Sequence, residues 1–209
     1  MNTEEREESP LTVVDVIREV FLRFPLFALR HLTHPKPPAM FVMVWLIGMD
    51  AMAGAIELER FQLGEYTMSN WFHAWLRIMF GGAFAGALRY WIVGSIFHLI
   101  VRAAGGTGPA RTSRYIFLYA VVPVAVVDLS LKVIQMLVYG NGYFAGQTHP
   151  VFDFVGAVTM LATYLYSAAL CYHGMRLLQR TDRLRSIVLL GTLGLVLVVA
   201  MFGLGTQGG

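Results

Sequence analysis

Four ionisable side chains stand where the chain is otherwise apolar: Asp50, Arg89, Asp128 and Lys132. Translocon-based scales put a central Arg, Lys or Asp at roughly +2.5 to +3.5 kcal/mol, so such residues face inward and pair. Two chemistries suit two acids and two bases at this depth. One is a transport path or proton relay; the other is an electrically balanced lock that fixes how three helices pack, and the matched signs favour the lock. Arg89 is expected to pair with Asp50 or Asp128, and Lys132 with Asp128 one helical turn away.

Other residues offer weaker chemistry. His98 and His173 sit near the same ends of two apolar runs, where a pair of histidines can hold a haem axially. They equally suit the membrane interface, where amphipathic rings reach for water, and no further pattern supports a cofactor, so none is expected. His31-Leu-Thr-His34 lacks acidic or cysteine partners for a metal. Cys171, the single cysteine, excludes an internal disulfide and reads as a small packing residue. The Gly-rich turn AAGGTGPAR has neither the Gly-Lys-Ser/Thr ending nor the preceding strand of a phosphate loop. With Arg102, Arg111 and Arg114 around it, the turn reads as a basic surface for lipid phosphate or an acidic partner. No catalytic constellation emerges, so no enzymatic activity is expected. A formal net charge of only +3 gives no reason to invoke nucleic acid.

The elements that hold these residues follow from composition. Hydrophobic residues make up 56% and charged residues 14%, against roughly 45–50% and 25% in soluble domains. Runs of 18 or more mainly apolar residues indicate an all-α, polytopic membrane helix bundle. Five spans are expected, at about 39–57, 75–101, 115–139, 151–175 and 186–204, with a tail over 205–209. Counting in from the span ends at 1.5 Å per residue brings Asp50, Arg89 and Asp128 near the bilayer midplane.

Threading follows from charge. Of sixteen Lys and Arg, five precede the first span, three follow the second (Arg102, Arg111, Arg114) and four follow the fourth (Arg176, Arg180, Arg183, Arg185). Only Arg60 lies in the opposite loops. By the positive-inside rule the N-terminus is cytoplasmic and the C-terminus outside. The start lacks the basic-then-apolar pattern of a cleaved signal peptide. Residues 1–38 form a cytoplasmic segment, with an amphipathic helix at 11–27 entered through Ser9-Pro10. That helix is too charged and too short to span, and lies on the membrane surface or on another part of the protein. A stiff basic collar, HLTHPKPP, leads into the first span. Gly82 and Gly86 form a GxxxG pattern that permits close approach of an internal neighbour or a second copy. Pro123 inside the third span removes a backbone hydrogen bond, which marks a kink or, beside Asp128, a broken transport helix.

These features together resemble the Yip domain family, the five-span Ypt/Rab-interacting membrane proteins. The resemblance rests on the His-Pro collar before five close spans, on Gly105-Gly106 ending the second, on the basic turn, and on Tyr119 and Pro123 four apart in an aromatic-rich third span. It covers about residues 11–204 and implies an all-helical bundle without catalysis, acting as a scaffold that binds partners. In eukaryotic relatives the partners are small GTPases. The N-terminal segment here is short and has no Asp-Leu-Tyr-Gly-Pro type stretch, which matches a bacterial-type inner-membrane member better. Partners expected on this reading are the lipid bilayer, anionic headgroups at the cytoplasmic face, and a protein partner or a second copy. A small transporter using the charged cluster, and a haem-binding redox subunit using His98 and His173, are the competing readings.

Overall fold

A computed structural model describes residues 11–63, 71–143 and 149–192. Helices account for nearly all of them: α1 (Val13–His31), α2 (Met40–Leu63), α3 (Trp71–Leu88), α4 (Gly94–Ala103), α5 (Ala110–Tyr139), α6 (Pro150–Gln179) and a last helix, α7, over 183–192. A single π turn, Arg89–Val93, welds α3 to α4, so that Phe72–Ala103 is one apolar rod. Among the described residues, three helical stretches are long and apolar enough to cross a membrane: Phe72–Ala103, Ala110–Tyr139 and Pro150–Gln179. Met40–Ile56, the expected first span, is a shorter apolar helix. Only 186–192 of the expected fifth span falls within the described residues, and 193–204 lies outside them.

The bundle is organised around α5. Of its most apolar stretch 61% is buried, against 28% and 22% in the other two long spans, because α1, α2, α4 and α6 all pack on it. Pro123 is accommodated inside this continuous helix, buried in the core, rather than breaking it.

The closest approach is between α2 and α3. A Cβ on Gly48 would stand 1.8 Å from the Gly82 carbonyl oxygen, and one on Gly86 would stand 2.0 Å from the Val44 oxygen. The GxxxG pair therefore meets α2 within the same chain, backbone against backbone. Trp45 Nε1 donates to the Met79 carbonyl at 2.7 Å beside the same seam.

α1 is amphipathic, and its apolar face is used inside the protein. Val16, Val20, Phe24, Phe27 and Ala28 are buried in the main core, and the helix packs on α5 and α6. A capping box starts it: the Thr12 hydroxyl accepts from the Asp15 amide at 3.2 Å, and the Asp15 carboxylate accepts from the Thr12 amide at 3.2 Å. The helix bends at Arg23, where the backbone leaves helical geometry two residues before Pro25. Proline has no amide hydrogen, so the Phe21 carbonyl lacks its i+4 donor. The hydroxyl of Tyr166 on α6 supplies it at 2.5 Å. Two more tyrosines hold the collar that follows: Tyr115 donates to the Pro35 carbonyl at 2.8 Å and Tyr119 to the Pro38 carbonyl at 2.5 Å.

Candidate functional sites

The glycine seam delivers the first pair of charges. Because α2 and α3 touch through backbone, Arg89, which opens the π turn one helical turn beyond Gly86, reaches back across α2. Its Nη1 lies 2.6 Å from Asp50 Oδ2 and donates to the Ile47 carbonyl at 3.1 Å. The second pair lies along α5, where Lys132 donates to Asp128 four residues earlier. Asp50 and Lys132 are buried, and the side chains of Arg89 and Asp128 are 27% and 18% exposed. The Asp128 carboxyl is within interaction range of Asp50, and Tyr164 on α6 is within electrostatic reach of all four charges. α2, the π turn and α5 thus contribute to one polar cluster of zero formal charge. Arg89 takes Asp50 as its direct partner, and the two expected pairs form a single group.

Neither Tyr164 nor the π turn carries a signal in the sequence. The tyrosine comes within reach through the lateral order of helices, and the π turn is one extra residue in the hydrogen-bond ladder. The wide turn closes with the Gly94 amide donating to the Arg89 carbonyl. It sets Gly94 against Arg114, whose guanidinium lies 4.3 Å from the Trp91 ring centroid.

The second candidate site is at the end where α4, α5 and α6 meet. The turn after α4 and the turn after α6 dock on each other. Thr107 N donates to the Gln179 carbonyl at 3.2 Å, and Asp182 N donates to the Ala104 carbonyl at 3.0 Å. Gln179 is fully buried, with Nε2 donating to Ser113 Oγ at 3.0 Å and to the Pro109 carbonyl at 3.2 Å. A Cβ on Gly108 would sit 2.2 Å from Gln179 Oε1, so any larger residue there must displace the Gln179 amide. Two arginines stitch the turns from within: Arg102 donates to Gly106 O at 3.4 Å, and Arg176 donates to Thr181 O. Arg102, Arg111, Arg176, Arg180, Arg183 and Arg185 are all exposed, and Arg114 is half-buried. The two basic turns therefore form one surface. Its buried organiser, Gln179, reads in sequence as an ordinary helix-end residue.

The histidines have separate neighbours. His98 Nδ1 lies 2.9 Å from Ser113 Oγ, inside the network of the docked turns. His173 is exposed, with its ring edge-on to Tyr172. Cys171 is buried and free. Among the described residues no group of three His, Cys, Asp or Glu side chains converges in the manner of a metal site.

Long apolar helices of membrane-crossing length, with paired charges between them and an arginine-rich end, fit a polytopic α-helical membrane protein. The family model for the Yip1 domain matches residues 23–204, most of the chain, and the protein belongs to that family. Searches of curated proteins and of solved structures return no match to this chain.

Proposed function

We infer that the protein is a non-enzymatic membrane scaffold that holds a composite arginine surface at the cytoplasmic face for an acidic partner, with anionic headgroups around it. The observation that carries this reading is the docking of the two basic turns through Thr107, Gln179, Ala104 and Asp182. Segments about seventy residues apart are fixed to each other, and six exposed arginines result. Arg180 adds to it: its φ of 54° is a left-handed conformation at a helix C-terminus, where glycine is usual. A backbone penalty of about 1 kcal/mol is retained for an exposed arginine. The midplane charges act as the lock that holds this surface in place, since each acid has a base beside it. On this reading the chain has five spans with the N-terminus inside, in a bacterial inner membrane.

The test compares the two roles in one preparation. The triple variant Arg111→Glu, Arg180→Glu, Arg183→Glu is expected to stay folded and to lose binding to anionic vesicles and to a stoichiometric co-purifying protein. Wild-type proteoliposomes are expected to show no ion or proton flux above empty vesicles. Flux in the wild type that disappears in Asp50→Asn would overturn the scaffold reading in favour of transport.

A further inference from the structure

Among the described residues, nothing packs against the outer face of α1. Leu22, Leu26 and Leu29 are 70%, 52% and 50% exposed, while the opposite face is sealed in the core. We propose that these three leucines contact phospholipid acyl chains, so that α1 is sunk into the leaflet at the arginine-bearing end rather than resting on its surface or presenting a protein-docking face.

Depth is the argument. The Phe27 ring lies 5.1 Å from that of Tyr119, and the Phe21 carbonyl accepts from Tyr166. Tyr119 is nine residues in from the start of α5 and Tyr166 thirteen from the end of α6. At 1.5 Å per residue these contacts are about 14 and 20 Å from the helix ends. Those ends are level with each other, because Gln179 bonds to Pro109 and Ser113. Each helix has 30 residues, about 45 Å of length against a hydrocarbon core of about 30 Å. A centred helix therefore protrudes about 7 Å at each end, which puts the Phe21–Phe27 stretch of α1 about 7 to 13 Å below the hydrocarbon boundary. A shallow amphipathic helix buries its apolar face about 5–10 Å into the headgroup and acyl boundary, so α1 reaches the acyl chains.

Two further observations agree. Leu161 and Leu165 on α6, 57% and 65% exposed, extend the same apolar exterior on the helix that α1 packs against. Arg30, at the collar end of α1, is exposed as well, and a long cationic side chain can bury its stem in lipid while the head reaches phosphate. The proposal does not depend on the scaffold reading, since it concerns only where α1 lies.

The single cysteine makes the test direct. In a Cys171→Ala background of the full chain, Leu22→Cys, Leu26→Cys and Leu29→Cys are each spin-labelled and reconstituted in phosphatidylcholine–phosphatidylglycerol vesicles. Collisional accessibility is then measured to oxygen and to a water-soluble nickel chelate. All three sites are expected to favour oxygen over nickel, as a label at Leu165→Cys does, with Arg183→Cys giving the reverse. Nickel accessibility above oxygen would place the face in water. Protection from both reagents, or dipolar broadening, would place it against protein. Either result overturns the proposal.

Discussion

Arg89 and Arg180 are both arginines held against a penalty, and the penalties differ in kind. Arg89 lies inside an apolar rod, where its charge is unfavourable, and it is satisfied by one carboxylate at 2.6 Å and one carbonyl. Arg180 lies at the end of α6, where its charge is solvated and its backbone conformation is unfavourable. Inside the bundle an arginine is defined by its partner. At the end it is one of several interchangeable charges on a surface. Substitutions in the interior should therefore act through single contacts and be rescued only by their exact counterpart, while those at the end should add up by total charge.

The largest effect is expected upstream of the interior pair, in the seam that brings it together. Gly48→Ala places a Cβ 1.8 Å from a backbone oxygen, and no side chain is available to move aside. The helices must part, and Arg89 loses its reach to Asp50. A loss of about 4 kcal/mol or more is expected, read as a collapse in the detergent-resistant fraction on heating. The same change at Gly54, whose Cβ would meet nothing within 4 Å, is the control and should be near neutral. Equal effects at the two glycines would show that the seam does not govern the lock.

Next comes the pair itself. Arg89→Leu leaves the Asp50 carboxylate without its base, at about 3–5 kcal/mol for a buried pair broken on one side. Adding Asp50→Leu removes the stranded charge and should recover most of that loss, since apolar replacement of a whole buried pair is often tolerated. No recovery in the double variant would mean that the two residues act separately.

These two levels are unequally legible in the sequence. Depth along a helix is a count of residues, so the span boundaries alone place Asp50, Arg89 and Asp128 at one level. Lateral order is not a count, so which acid faces Arg89 depends on how α2 and α5 pack around it. Gly48 escapes notice for a related reason. The GxxxG spacing flags two glycines on one helix, whereas the residue they meet is a lone glycine on another. At the arginine-bearing end the charges are visible one by one. Their union into a single surface depends on Gln179 and on hydrogen bonds between turns about seventy residues apart, which no local pattern encodes. For α1, periodicity identifies the greasy face and the failure to span, but not that α5 and α6 cover that face. Nor does it place the bend at Arg23 rather than at Pro25.

The end of the bundle makes a smaller prediction of opposite sign. Arg180→Gly relieves the left-handed backbone and should raise stability by about 1 kcal/mol, seen as a modestly higher melting temperature. The same variant removes one exposed charge from the surface, so its affinity for anionic vesicles should fall while stability rises. The interior allows no such divergence, because there charge and packing are one contact. A fall in both stability and vesicle affinity for Arg180→Gly would mean that the arginine holds the turn together through its side chain, and the contrast between the two levels would fail.

The smallest effect separates both levels from a third kind of charge, one that is exposed and locally bonded. The Thr12 hydroxyl and amide hold the Asp15 carboxyl below the usual aspartate range, with Arg18 nearby contributing less. A folded-state value lower than the unfolded one means that the ionised form stabilises the helix start. That support is complete above the ordinary aspartate value of about 3.9 and is lost as the pH falls through the lower folded value. A spin label at Val14→Cys, in the Cys171→Ala background, should gain mobility as the pH is lowered from about 5 to below about 3. In Thr12→Val, which removes the hydroxyl but keeps the bulk, the label should be more mobile at neutral pH and the acid step should move up toward the ordinary aspartate value. The Asp50–Arg89 lock should not respond to the Thr12 substitution, since it shares no contact with the capping box. If the label's acid transition is unchanged in Thr12→Val, the Thr12 hydroxyl is not what sets the ionisation of Asp15.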